Sequence, residues 1–330
     1  MSIDFTGQPI HVIGDMILDT YIIGTASRLS AEAPVPIVNI KHSDYCLGGA
    51  GNVAANIRHL GGNPVGIGVI GADKDGDILS HKLSALGGGA HGLVTVPSRC
   101  TTTKTRIMVN RQQVARLDRE DTCQLSTRYV NLVLQHLYSD TRPSAVIISD
   151  YAKGVVSPVL VKEIAAYTMR HSIPLFIDPK IVNASCYSGL EYGAITCITP
   201  NKNEAEWISG VHINSKSSIE QTGRAILAKY GCSYALVTLG ETGMALVSDD
   251  EVAHIDTVAK QVFDVSGAGD TVIATLALAY ASGYSMMQAA KMANVAAGIV
   301  VGKSGTATVT LEEVVASGCH FLSDYQCSIL

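Results

Sequence analysis

The stretch Phe263-Asp264-Val265-Ser266-Gly267-Ala268-Gly269-Asp270-Thr271 is followed at once by a long apolar run, the pattern of a glycine-rich turn opening a buried helix. Gly267 and Gly269 carry no side chain to keep a phosphate oxygen away from backbone N–H groups, and the first turn of a helix leaves several such groups without carbonyl partners. The turn Gly267, Ala268, Gly269 is therefore expected to form an anion hole. Asp270 falls just inside it. A carboxylate beside a bound phosphate repels it unless a third group, such as a sugar hydroxyl, stands between them, so Asp270 is expected to align and deprotonate an attacking hydroxyl. The plain alternative is an ordinary first-turn aspartate, since short glycine motifs recur by chance.

Upstream of this turn, from Ser144 onward, short apolar runs alternate with helical patterns: Ala145 to Ser149, Pro174 to Ile177, Ile195 to Thr199 and Ala235 to Leu239, with helices near 157–170, from Asn203, and near 217–229. That rhythm predicts a doubly wound, mostly parallel α/β sheet. Each run ends in polar residues: Asp150 to Gly154, Asp178-Pro179-Lys180, Pro200 to Glu204, and Thr238 to Gly243. Strand ends in such sheets share one crevice. Ile10 to Gly14 reads as a further strand with Asp15 at its C-terminal end, a candidate for hydrogen bonding a polyhydroxyl substrate; an exposed turn aspartate is the alternative.

Between Leu18 and Tyr45, and again from about 91 to 117, strand-like segments appear without helical period. These two insertions are expected to pair as a small β lid that excludes water during chemistry. Lys104 and Arg106, with Lys153 from the strand end, would place cations over the substrate, as suits a phosphorylated sugar; a solvated strand face is the structural alternative. Leu47-Gly48-Gly49-Ala50-Gly51-Asn52-Val53-Ala54 leads into a helix near Asn52. Gly48 and Gly49 would let the backbone approach a ligand, and Asn52 offers a donor and an acceptor to hydroxyls.

The chain has 330 residues, 47% of them hydrophobic and 31 of them glycine, which suits one large α/β domain with a modest excursion over residues 1–330. A net charge of -5, with Lys and Arg scattered, recommends neither nucleic acid nor an anionic membrane as partner. Eight cysteines without a Cys-x-x-Cys pair, behind a start Met1 to Phe5 that lacks a secretory pattern, lead to the expectation of reduced thiols and a cytoplasmic location. Cys319, His320 and Cys327 have the wrong spacing for zinc. The uncharged span Thr271 to Ala290 has membrane length, but Ser282-Gly283-Tyr284-Ser285 breaks it into two buried helices. Gly66 to Gly71 is glycine-rich inside a strand and badly placed for a dinucleotide turn. Gly298 to Ser304 resembles a phosphate loop but has three residues between its glycines instead of four, and it ends a helix.

The motif Asp264-x-Ser266-Gly267-Ala268-Gly269-Asp270 resembles the C-terminal signature of the ribokinase-like carbohydrate kinases, and Gly48-Gly49-x-Gly51-Asn52-x-Ala54 resembles their N-terminal signature. The resemblance implies Asp270 as catalytic base and the Gly267 to Gly269 amides as the anion hole, with Asp15, Gly48, Gly49 and Asn52 toward the sugar. It further implies Asn201, Lys202, Asn203 and Glu204 as the Asn-x-x-Glu element that organises ATP and water-held Mg²⁺. A helix-capping pair is the local alternative for Asn201 and Glu204. Thr238, Gly240 and Asn294 fall on the nucleotide side, and Asp264 and Ser266 match positions that hold a monovalent cation, K⁺. The strings Arg28 to Pro36, Asp150-Tyr151-Ala152-Lys153-Gly154 and Val301 to Thr306 resemble the D-glycero-β-D-manno-heptose 7-phosphate kinase branch of that family. That branch implies phosphorylation of the heptose O1 in the supply of ADP-heptose for lipopolysaccharide. Too little chain follows Val315 for the adenylyltransferase domain often fused to such kinases, and the lid is expected to pair with a second copy as a homodimer. Two alternatives stand: a kinase of another phosphosugar, such as fructose 1-phosphate or tagatose 6-phosphate, and a catalytically silent sugar or nucleotide sensor.

Overall fold

A computed structural model describes residues 3–87, 92–110, 112–139, 141–259, 262–303 and 305–317. In chain order the elements are β1 (Pro9–Gly14), β2 (Met16–Leu29), β3 (Pro36–Gly49), α1 (Ala50–His59), β4 (Asn63–Gly71), α2 (Lys74–Ser84), β5 (Gly92–Val96), β6 (Thr102–Val109), β7 (Gln112–Arg119), α3 (Thr127–Ser139), β8 (Ala145–Ser149), α4 (Pro158–Arg170) and β9 (Leu175–Asp178). There follow β10 (Cys197–Ile198), α5 (Lys202–Ser209), α6 (Lys216–Tyr230), β11 (Tyr234–Thr238), β12 (Met244–Val247), β13 (Val252–Ile255), α7 (Ala268–Ala281), α8 (Met286–Val300) and α9 (Leu311–Ala316).

The larger sheet runs β13-β12-β11-β10-β9-β8-β1-β4-β5, parallel from β11 through β5 and closed at the other edge by the antiparallel β12–β13 hairpin. Its central strands are apolar because both faces are covered. β8, Ala145-Val146-Ile147-Ile148-Ser149, is buried at every position. On one face lie α1, α7 and α8; α3, α4, α5 and α6 cover the other. Helix α7 is buried on all sides from Asp270 to Ala279, which accounts for the apolar span of membrane length. Among the described residues no helix is long and apolar enough to cross a membrane.

The second sheet, β3-β2-β6-β7, holds the lid. Its extent differs from the sequence expectation. Leu93 to Val96, expected in the lid, belongs to β5, which pairs in parallel with β4 at the edge of the main sheet. The reason is its alternation: Val94 and Val96 point into the core shared with α3, and a strand with one apolar face finds its place on an edge over that core. The lid thus comprises β2 and β3 together with β6 and β7, and the start of β2 is itself core, with Met16, Ile17 and Leu18 buried.

Candidate active site

The C-terminal ends of β8, β9, β10 and β11 and the N-terminus of α7 border one cleft of about 220 Å³. Asp150, Tyr151, Asp178, Lys180, Asn201, Glu204 and Thr238 line it opposite Gly267, Gly269 and Val272. Gly267 caps α7 with φ +79°, a conformation that glycine adopts without strain. A Cβ there would also lie 2.7 Å from Nδ2 of Asn52. Of the three amides expected in the anion hole, that of Ala268 donates to the Val265 carbonyl (3.2 Å) and so closes the turn instead. The amides of Gly269 and Asp270 follow in the first helical turn, where no intrahelical carbonyl meets them.

Asp270 is 2% exposed. One carboxylate oxygen accepts from Nδ2 of Asn52 (2.8 Å) and the other from the phenol of Tyr151 (2.8 Å). Burial pushes its pKa up to about 6, against these two hydrogen bonds; the neighbouring Asp19 raises it further and Lys104 opposes. A base tuned near 6 is ionised at neutral pH yet can hold a proton in transit. Asp178 is pushed well above the carboxylate range by burial and by Asp270 and Glu204 beside it.

Several residues expected at the substrate carry structural roles in the fold. Asp15 is fully buried, and its carboxylate accepts the N–H groups of Tyr151 (2.8 Å), Lys153 (3.0 Å) and Val155 (3.2 Å), so it shapes the loop after β8. Asp15→Asn is expected to cost about 2 kcal/mol, measured by urea unfolding, because one backbone N–H would then face an amide NH₂. At Gly48 a Cβ would fall 2.3 Å from Oδ2 of Asp19, so a side chain there would displace the carboxylate that pairs with Arg106. At Gly49 a Cβ would meet the Asp15 carbonyl at 2.5 Å. Asn52 spends its donor on Asp270 and orients the base. Lys153 is paired with Glu120 (2.6 Å).

The lid does bring charge to the base. Lys104 lies with Nζ 5.1 Å from the centre of the Tyr151 ring, and its pKa is lowered by burial despite Asp19. Arg106 pairs with Asp19 (2.5 Å) and lies over the Tyr21 ring. Asp19, 3% exposed, is a site residue that sequence reasoning missed in favour of Asp15. Its signal was present: a single carboxylate inside the apolar opening of a strand, Met16-Ile17-Leu18-Asp19.

On the other side of the cleft, Asn201 and Glu204 form a reciprocal capping box at the start of α5, so the local alternative is realised. The box nevertheless faces the cleft, and Oε1 of Glu204 binds Lys180 (2.9 Å). Lys202 and Asn203, the first two residues of α5, are exposed and line no part of this cleft, because the cap Asn201 and the third helical residue Glu204 face inward and these two do not. Thr238 pairs with Asn201 across the sheet end and lines the cleft; Gly240 opens a following turn with φ +63°. Asn294, expected on the adenine side, is a buried strut whose amide donates to the Asp256 carbonyl (2.8 Å). Its neighbours Val295, Gly298 and Ile299, with Val258 and Gly302, line a second cavity of about 680 Å³. The carboxylate of Asp264 accepts from the amides of Ser266 (2.9 Å) and Gly305 (3.0 Å) and ties two loops together. These donors outweigh burial and lower its pKa. Cys46, Cys100, Cys123, Cys186, Cys197 and Cys232 are free thiols, while Cys319, His320 and Cys327 lie outside the described residues.

A buried carboxylate at a glycine-rich helix start, under a two-part β lid on a doubly wound sheet, defines a sugar kinase of the ribokinase fold. The chain belongs to the pfkB family of carbohydrate kinases, whose profile it matches over residues 8–313, and is therefore a phosphotransferase acting on an alcohol group. It is 44% identical over 314 residues to "Bifunctional protein HldE" of Desulfatibacillum aliphaticivorans, covering 94% of this chain and 63% of that protein. Against the protein of the same name from Geobacter sulfurreducens it is 41% identical over 308 residues, 93% of this chain and 62% of the relative. The chain thus spans under two thirds of the length of these relatives. Phosphofructokinase-2 of Escherichia coli in complex with fructose-6-phosphate superposes with a TM-score of 0.77 at 16% identity, covering 94% of this chain and 97% of the other. Ribokinase of Arabidopsis thaliana complexed with ribose and ATP does so at 0.71 and 20% identity, covering 94% and 99%. At these identities the two structures share the fold.

Proposed function

We propose that the chain transfers the γ-phosphoryl group of ATP to O1 of D-glycero-β-D-manno-heptose 7-phosphate, giving the 1,7-bisphosphate and ADP, a step toward ADP-heptose for lipopolysaccharide. The observation that carries the reading is the carboxylate of Asp270, buried and aimed by Asn52 and Tyr151 beside the Gly269 amide. O1–H gives its proton to Asp270 as O1 bonds to the γ-phosphorus and the bond from that phosphorus to the bridging oxygen of ADP breaks. Lys104 and Arg106 on the lid offer positive charge to the sugar phosphate, while Asp19 accepts from hydroxyls. Lys180 answers the charge of the nucleotide phosphates from the far wall.

The donor set of the cleft fits Mg²⁺ held through water. Glu204 stands close enough to Asp178 to raise the cost of ionising Asp178, while no three His, Cys, Asp or Glu among the described residues converge as direct ligands. When bound with ATP, the ion supplies charge neutralisation on the transferring group; Glu204 and Asp178 would hold its waters. The lid's exposed Leu29, Ile40 and Leu117 support a second copy covering that sheet. We assign the kinase reaction alone to these residues, acting on small molecules in the cytoplasm.

A coupled ADP-release assay with heptose 7-phosphate, fructose 1-phosphate and tagatose 6-phosphate tests the assignment. Turnover with the heptose at a kcat/KM at least tenfold above the others is expected. Preference for a different sugar would overturn the substrate, and saturable binding without turnover of any sugar would leave a sensor.

A further inference from the structure

The loop after β8 is built at a cost that its own stability does not explain. Ala152 sits at φ +54°, where a non-glycine residue is strained, and the conformation is held by four hydrogen bonds. Its own N–H bonds Oδ1 of Asp150 (2.8 Å), and the carboxylate of Asp15 collects the amides of Tyr151, Lys153 and Val155. Two buried aspartates are thus spent on setting one turn. Asp150 is itself fixed from behind by Asn183 (2.9 Å) and by the phenol of Tyr187. What the turn presents is the Tyr151 side chain, whose hydroxyl meets Asp270 at 2.8 Å while its ring backs the Lys104 ammonium.

We infer that Tyr151 is a positioning residue for the base: its O–H, donating to one oxygen of Asp270 as Asn52 donates to the other, fixes the carboxylate's plane and favours its charged form. With one donor on each oxygen, a lone pair on each is left for the incoming hydroxyl. A carboxylate held by a single donor could rotate about its Cβ–Cγ bond and lose the alignment. Tyr151 remains a neutral donor throughout, since burial and the adjacent Asp270 raise its pKa well above the ordinary phenol range. The charged groups facing Asp270 are Asp19 on β2, Lys104 on β6 and Asp178 at the end of β9; Asp19 opposes ionisation, Lys104 with the two hydrogen bonds favours it, and Asp178 is itself held protonated by burial and by Asp270. Removing one of those bonds must move the titration upward.

The inference rests on the kinase reading for what Asp270 does, and its first test does not need turnover. Infrared titration of the carboxylate bands, with Asp270→Asn as the subtraction, should place Asp270 near 6 in the parent protein and higher by about one unit in Tyr151→Phe. In turnover, kcat/KM for the sugar should fall about threefold at pH 6.5 and about tenfold near pH 5, with the deficit vanishing toward pH 8.5 and the KM for ATP unchanged within about twofold. Should Tyr151→Phe fold poorly by thermal melting, 3-fluorotyrosine at 151 keeps the shape with a stronger donor and should move the acid limb down. A limb unmoved by either replacement overturns the inference, as does a pH-independent loss with a raised sugar KM, which would make Tyr151 a substrate contact. A parent protein that titrates as stated but turns over no sugar contradicts the kinase reading and leaves the positioning bond standing.

Discussion

Asp270→Asn is expected to lower turnover by roughly 10³–10⁴-fold with nucleotide affinity unchanged within about threefold, and to make the protein more stable at neutral pH. The two effects share a cause. Burial raises the Asp270 pKa from 3.8 to about 6, so the folded state prefers the protonated form. The stability this confers is fully present below the unfolded value of 3.8 and is lost as pH rises through about 6. At pH 7 the ionised carboxylate therefore costs at most about 3 kcal/mol, from a shift of about two units at 1.36 kcal/mol each. Asparagine keeps the shape: its oxygen can accept from Asn52 and its amide can donate to the Tyr151 oxygen. Thermal melts should show the variant ahead of the parent above pH 6, with the gap closing below about pH 4. The same titration predicts that kcat/KM of the parent falls tenfold per pH unit below about 6.

Gly269→Ala separates the anion hole from the fold. A Cβ at Gly269 would meet nothing within 4 Å, and the residue lines the cleft in the first turn of α7. Alanine is a better helix residue than glycine, so stability should be unchanged or higher by up to about 1 kcal/mol. The methyl group, however, would project to where a phosphoryl oxygen must meet the Gly269 and Asp270 amides. Loss of such a donor contact costs roughly 100-fold in kcat. A stable variant with that loss, measured by urea unfolding and ADP release, would assign the empty space to the transferring group. A variant of full activity would move the phosphate elsewhere.

The motif around Asp270 was legible because its chemistry is local: two glycines, a helix start and a carboxylate lie within four residues. The parallel sheet was legible too, since strands covered on both faces are apolar throughout. The partners of Asp270 come from 218 and 119 residues away, and no spacing in the sequence announces Asn52 or Tyr151 as its donors. Asp15 and Asp19 show the limit most clearly. Both are single carboxylates near the end of β1, and only the turn after β8 decides that the first is consumed by backbone amides while the second faces the lid's Arg106. β5 was misplaced because five residues of alternating polarity fit an edge strand and a lid strand equally well. Lys180 went unassigned because a lone lysine at a strand end has no signature until Glu204 is seen against it.

The central claim is that a proton on a sugar hydroxyl passes to Asp270 while the γ-phosphoryl group passes to that oxygen. Rapid-quench single turnover, with enzyme in excess over γ-labelled ATP and saturating heptose 7-phosphate, tests it most directly. The account predicts label on O1 of the heptose within one turnover for the parent protein, a rate that falls with the protonation of a group near 6, and in Asp270→Asn bound ATP that stays intact. Label transferred at the parent rate by Asp270→Asn would contradict it.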